Sequence, residues 1–155
     1  MLKLSGKRLT ISATVHPGSH RRCFPPDKKV ITSLDPNRPQ TILVVEDEEP
    51  LRHVVIDLLT QLGYRVLGAA NGTEALAMAE RNPGGIDVLI TDVLMPELAG
   101  PELAITLRNS RPDLGIIFVS GDTSADYSVV QGAAVLQKPF TMKMLSSKLR
   151  EVLPV

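Results

Sequence analysis

Five residues stand where their types would act together: the acid pair Glu46 and Asp47, then Asp92, Ser120 and Lys138. Each comes at the end of a short run with strand character, ILVV before the acid pair, VLIT before Asp92, IIFV before Ser120 and AVLQ before Lys138. A carboxylate attacks phosphorus to give an acyl phosphate, and the charge that spreads over the equatorial oxygens needs cations and donors. Lys138 offers a point charge and Ser120 a hydroxyl, with backbone N–H groups after Asp92 and Ser120 as further donors. Three carboxylates brought together repel and raise each other's pKa, so they call for a compensating cation. An all-oxygen set with room for water suits Mg²⁺, and Mn²⁺ would also fit. The set is complete for accepting a phosphoryl group on Asp92.

Taken singly, each residue has an ordinary explanation. The acids from Glu46 to Glu49 would favour a helix N-terminus through its dipole, Asp92 would cap a turn, Ser120 with Gly121 would form a loop, and Lys138 before Pro139 would sit solvated at a rigid turn. Their order, each at the end of a core strand, outweighs those separate readings.

The elements that must position these groups begin at Thr41. TILVVED, PLRHVVIDLLTQLG, YRVLGAA and GTEALAMAERN alternate strand and helix patterns, which predicts right-handed βαβ units and a parallel sheet. In the first helix Leu51, Val54, Val55, Leu58, Leu59 and Leu62 fall on one face, with Pro50 suited to the first turn and Gly63 to the stop. The cycle continues with IDVLITD, a helix over Pro101 to Ser110, GIIFVS, AAVLQ and a last helix from Met142 to Leu153. The segment GDTSADYSVVQG is short, polar at its start and bounded by glycine, so the fourth helix is expected to be shortened or loop-like. The fold class is α/β, a doubly wound five-stranded parallel sheet with helices on both faces. In such sheets ligands bind outside the carboxyl ends of the strands, where the acid, hydroxyl and lysine groups fall.

Composition agrees. Aromatics are scarce and Trp is absent, so the core must come from aliphatic side chains, as a buried parallel sheet would use. No apolar run approaches the roughly twenty residues needed to cross a bilayer, and no secretory signal is recognisable. A single Cys23 suits a reducing, cytoplasmic setting. The zero net charge hides an asymmetry: residues 1–40 carry eight Lys/Arg against two Asp, and residues 41–155 carry nine against fifteen acids. The first forty residues show no sustained period and are Pro-rich, so they read as a basic, disordered leader. Its His16, His20 and Cys23 are a weak metal set without a second pair of ligands. The abrupt change at Thr41 also fits a true translation start downstream of the first methionine.

The quoted residues resemble the receiver domains of two-component response regulators. ILVVEDEE is similar to the family's first strand and acid pair, LITDVLMPELAG to the phosphoacceptor segment, IIFVSG to the fourth strand and hydroxyl, and LQKPF to the lysine-proline motif. YRVLGAANGTEAL matches the second strand and helix, so the resemblance runs from about Thr41 to the C-terminus, giving a leader over 1–40 and a receiver over 41–155. It implies a flavodoxin-like sheet of order 2-1-3-4-5. It implies that Asp92 takes phosphate from the phosphohistidine of a histidine kinase or histidine phosphotransfer protein. Asp47, Asp92 and the backbone carbonyl of Leu94 would ligate Mg²⁺ directly and Glu46 through water. Ser120 and Lys138 would contact the phosphoryl group. Glu46 replaces the Asp of many members. Val135 replaces the aromatic whose rotation often reports activation, so the signal is expected to leave through the loop from Gly121 to Gly132.

The sequence after the last helix carries no pattern of a DNA-binding or other output domain, so output is expected to go through a downstream protein target. Three other readings compete. RPDLGIIFVSG and VLQKPFT also resemble the receivers of hybrid histidine kinases, so this would be a detached receiver of that kind. A pseudo-receiver binding module is disfavoured by the intact acids, Ser120 and Lys138. A phosphohydrolase with an aspartyl nucleophile usually needs a second Asp two residues on, where Leu94 stands, so no enzymatic turnover is expected beyond slow self-dephosphorylation.

Overall fold

The computed structural model describes residues 38–83, 85–122, 127–128 and 130–153. The basic leader before Arg38, with His16, His20 and Cys23, lies outside the described residues. Five strands, β1 Thr41–Val45, β2 Arg65–Ala69, β3 Val88–Asp92, β4 Gly115–Ser120 and β5 Ala134–Gln137, form one parallel sheet in the order β2-β1-β3-β4-β5. Helices α1 Glu49–Gln61, α2 Gly72–Arg81, α3 Gly100–Ser110 and α4 Met142–Val152 cover its faces. This is the expected doubly wound arrangement.

Alternation along each strand divides the core in two. Leu43, Leu89, Ile116 and Phe118 face α2 and α3 through Ala75, Ala79, Leu103 and Leu107. Ile42, Val44, Ile90, Ile117 and Val119 face α1 and α4 through Val55, Leu59, Leu145 and Leu149. With both faces covered, the central strands β1 and β4 are buried throughout.

Local signals set the helix ends. Pro50 stands in the first turn of α1, and Gly63 past its end adopts φ +90, which favours glycine. At α2 the Asn71 side chain accepts from the Glu74 N–H at 2.8 Å while the Glu74 carboxylate accepts from the Ala70 N–H at 2.7 Å, a reciprocal cap. The apolar stripe expected for α1 is only half used: Val55 and Leu59 are buried, whereas Val54 and Leu62 are exposed. Between β4 and β5 the described residues form bends and turns and no helix, as the short polar segment suggested; residues 123–126 and 129 lie outside the described set.

Candidate phosphoacceptor site

The chain runs from β1 to β2 on one side of the sheet and returns to β3 on the other, opening a crevice at the carboxyl ends of β1 and β3. Glu46 and Asp47 follow β1 and Asp92 closes β3. Ligand oxygens of these three acids lie within 4.8 Å of one another. The turn after β1 is tied down from both sides: the Glu46 N–H donates to the Ala69 carbonyl at 3.2 Å, and Arg52 of α1 donates to the Glu46 carbonyl at 2.7 Å.

Lys138, the first residue past β5, reaches across to this cluster. Its Nζ donates to Asp92 Oδ2 at 2.5 Å and to Glu46 Oε2 at 3.1 Å. The other Asp92 oxygen, Oδ1, accepts from the Leu94 N–H at 3.1 Å, which puts the Leu94 peptide at the cluster's edge. The Leu94 side chain itself is 77% exposed. Burial pushes the Glu46 carboxyl up, with the Asp92 charge adding to the effect, and its bond to Lys138 offsets this only in part. Burial would lower the Lys138 ammonium, but its hydrogen bonds to Asp92 and Glu46 outweigh that and raise it.

The loop after Asp92 is packed closely. The Gly100 N–H donates to the Val93 carbonyl at 3.1 Å, and a Cβ at Gly100 would stand 2.2 Å from the Asp92 carbonyl oxygen. Only glycine fits there.

Ser120 is placed differently. It is buried, but its hydroxyl is engaged within its own loop: Oγ donates to the Asp122 carbonyl at 3.1 Å and accepts from the Asp122 N–H at 3.0 Å and the Tyr127 hydroxyl at 2.7 Å. The fold therefore brings Glu46, Asp47, Asp92 and Lys138 together and holds Ser120 in a separate network. Tyr127 was missed from sequence; the available signal was an aromatic seven residues after Ser120 in an otherwise small and polar segment. Val135 lies on β5 with its side chain partly exposed.

Three convergent carboxylates carry more charge than one ammonium offsets, and the donors are all oxygen. The set fits Mg²⁺.

A family model for the response regulator receiver domain matches residues 42–150. The chain belongs to that family. It is 38% identical over 131 residues to the sensor kinase CckA of Brucella abortus, covering 82% of this chain and 14% of that protein. It is 33% identical over 116 residues to the response regulator receiver protein CpdR of the same organism, covering 72% of this chain and 95% of that one. Among solved structures, the response regulator protein TrrA of Thermotoga maritima, in complex with Mg²⁺ and beryllium fluoride, superposes with a TM-score of 0.65 at 30% identity, covering 74% of this chain and 99% of that chain. The receiver spans nearly the whole of CpdR and a small part of CckA. Among the described residues no helix is long and apolar enough to cross a membrane.

Proposed function

We propose that Asp92 is the phosphoacceptor of a two-component phosphorelay, charged by the phosphohistidine of a histidine kinase or histidine phosphotransfer protein. The observation that carries this is the position of Asp92, at the end of β3 between the acid pair and the Lys138 ammonium. A carboxylate oxygen of Asp92 forms the new P–O bond as the P–N bond of the phosphohistidine breaks, and the departing imidazole nitrogen keeps the electron pair and takes a proton.

The metal would be held by Asp47, Asp92 and the Leu94 carbonyl, with Glu46 acting through water; bound there it offsets the carboxylate charge and that of the arriving phosphoryl group. That TrrA is complexed with Mg²⁺ and beryllium fluoride on the same fold supports this reading. Lys138, raised in pKa and so charged throughout the neutral range, holds Asp92 in place and stays beside the phosphoryl oxygens. Ser120 contacts the phosphoryl group once its hydroxyl leaves its present partners.

The receiver over 41–155 would act in the cytoplasm and pass its state to a downstream protein, with the leader over 1–40 outside the phosphoacceptor chemistry. Similarity to CckA favours one second reading, that the chain works as a detached receiver of a hybrid kinase. Finding a co-encoded kinase that lacks a receiver of its own would favour that version. Incubation with Mg²⁺ and a small phosphodonor, followed by intact-mass measurement, tests the assignment: wild type gains one phosphoryl group, and Asp92→Asn gains none.

A further inference from the structure

Ser120 has one hydroxyl proton and two lone pairs, and all three capacities are occupied within the loop after β4. Its O–H is given to the Asp122 carbonyl, so donation to a phosphoryl oxygen on Asp92 requires that bond to break. The shortest bond Ser120 makes there is the one it accepts from the Tyr127 hydroxyl, 2.7 Å, and Tyr127 has a second acceptor within reach in the Asp122 carbonyl at 3.3 Å. The Tyr127 ring is fixed in turn by stacking on buried Phe118, centroids 5.6 Å apart. Phe118 pairs in register with Val135, and beside them an open cavity of about 400 Å³ is lined by Tyr127, Val130, Gln131 and Val135.

We propose that Tyr127 is the positioning residue of the Ser120 hydroxyl: it holds Ser120 in its resting position, and transfer of Ser120 to the phosphoryl group frees the Tyr127 hydroxyl. The proposal rests on Asp92 being the phosphoacceptor. Small Val135 leaves the ring room to move, so an aromatic on the loop does the reporting that no aromatic on β5 is present to do. Swinging Oγ from its own loop to the phosphoryl group gives up its resting partners together, the Asp122 carbonyl and the Tyr127 hydroxyl, so whatever weakens the Tyr127 bond favours the phosphoryl-bound arrangement by the same factor. A neutral hydrogen bond of ordinary net strength corresponds to about a fivefold population change.

The test uses the full chain, which has two tyrosines and no tryptophan. With both labelled as 3-fluorotyrosine and assigned through Tyr64→Phe, Mg²⁺ plus beryllium fluoride is expected to shift the Tyr127 fluorine resonance and leave that of Tyr64 in place. Ser120→Ala shifts the Tyr127 resonance without any phosphoryl analogue. Tyr127→Phe, which keeps the ring on Phe118, is expected to take phosphate from a small donor about fivefold faster than wild type. In the Ser120→Ala background the same change has no effect, an outcome that a purely structural role for Tyr127 does not give. An unmoved Tyr127 resonance, or a Tyr127→Phe effect that persists without Ser120, overturns the proposal while Asp92 still accepts phosphate. If wild type takes no phosphoryl group, the phosphoacceptor assignment falls and this proposal falls with it.

Discussion

Lys138 Nζ lies 2.5 Å from Asp92 Oδ2, joining the first residue past β5 to the last residue of β3. The ammonium occupies the place in the charge balance that a divalent cation would share, so the two compete for the same carboxylates. Lys138→Met is therefore expected to bind Mg²⁺ about tenfold more tightly than wild type, a coupling of ordinary size for two linked sites. The same variant is expected to accept phosphate more slowly, because a phosphoryl group on Asp92 would lose its point charge. Mg²⁺ titration by calorimetry, beside phosphorylation rates at saturating Mg²⁺, checks that these two effects run in opposite directions.

The pH dependence of the metal-free protein follows from the same pair. Lys138 is raised above its ordinary value of 10.5 by the carboxylates that face it, after burial has pulled it the other way. A cation with a raised folded pKa stabilises the fold fully below its unfolded pKa and loses that contribution as the pH rises through the folded value. Urea unfolding between pH 9 and about 12 is expected to show a steeper loss of stability in wild type than in Lys138→Met. Equal slopes contradict the pairing.

The close approach of Gly100 to the Asp92 carbonyl gives a second test of how the site is held. Gly100→Ala forces a Cβ against backbone and is expected to cost about 2 kcal/mol, with slower phosphate uptake as the Asp92 loop shifts. Gly121→Ala has open space around its Cβ and is expected to change stability by less than about 0.5 kcal/mol. Denaturant midpoints of the two variants make the comparison.

How much of this was legible beforehand depends on the range of the interaction. The strands carry their own signal in apolar runs, and the groups at their ends are one residue away, so Glu46, Asp47, Asp92 and Lys138 were readable together with the sheet that collects them. Pro50 and Gly63 marked the ends of α1 for equally local reasons. The buried side of that helix was over-read, because periodicity alone does not separate Val55 and Leu59, which meet the sheet, from Val54 and Leu62, which do not. Ser120 was correctly placed at the end of β4, but its partners were not: the bond to Tyr127 depends on how a loop without strong local pattern folds back onto β4. Gly100 was readable as a motif residue and not as a contact with the carbonyl eight residues earlier.

Leu94 gives a test of how long a phosphoryl group on Asp92 would last. Its side chain is exposed beside the cluster and apolar, so it cannot orient an attacking water. Leu94→Asn is expected to shorten the lifetime of the phosphorylated protein about tenfold, less than the roughly hundredfold or more of a full acid–base group, because an amide orients water without taking its proton. Decay of the phosphorylated form after removal of the phosphodonor measures this, and an unchanged lifetime removes Leu94 from the account.

Phosphate on Asp92 would be carried as an acyl phosphate. Borohydride reduces an acyl phosphate to the alcohol, so treating the phosphorylated protein and mapping its peptides locates the modified carboxyl directly. A single reduced side chain is expected, at position 92, appearing only after exposure to Mg²⁺ and phosphodonor. Reduction at Asp47 or Glu46 instead, or a phosphoryl group that survives borohydride on another residue, would contradict it.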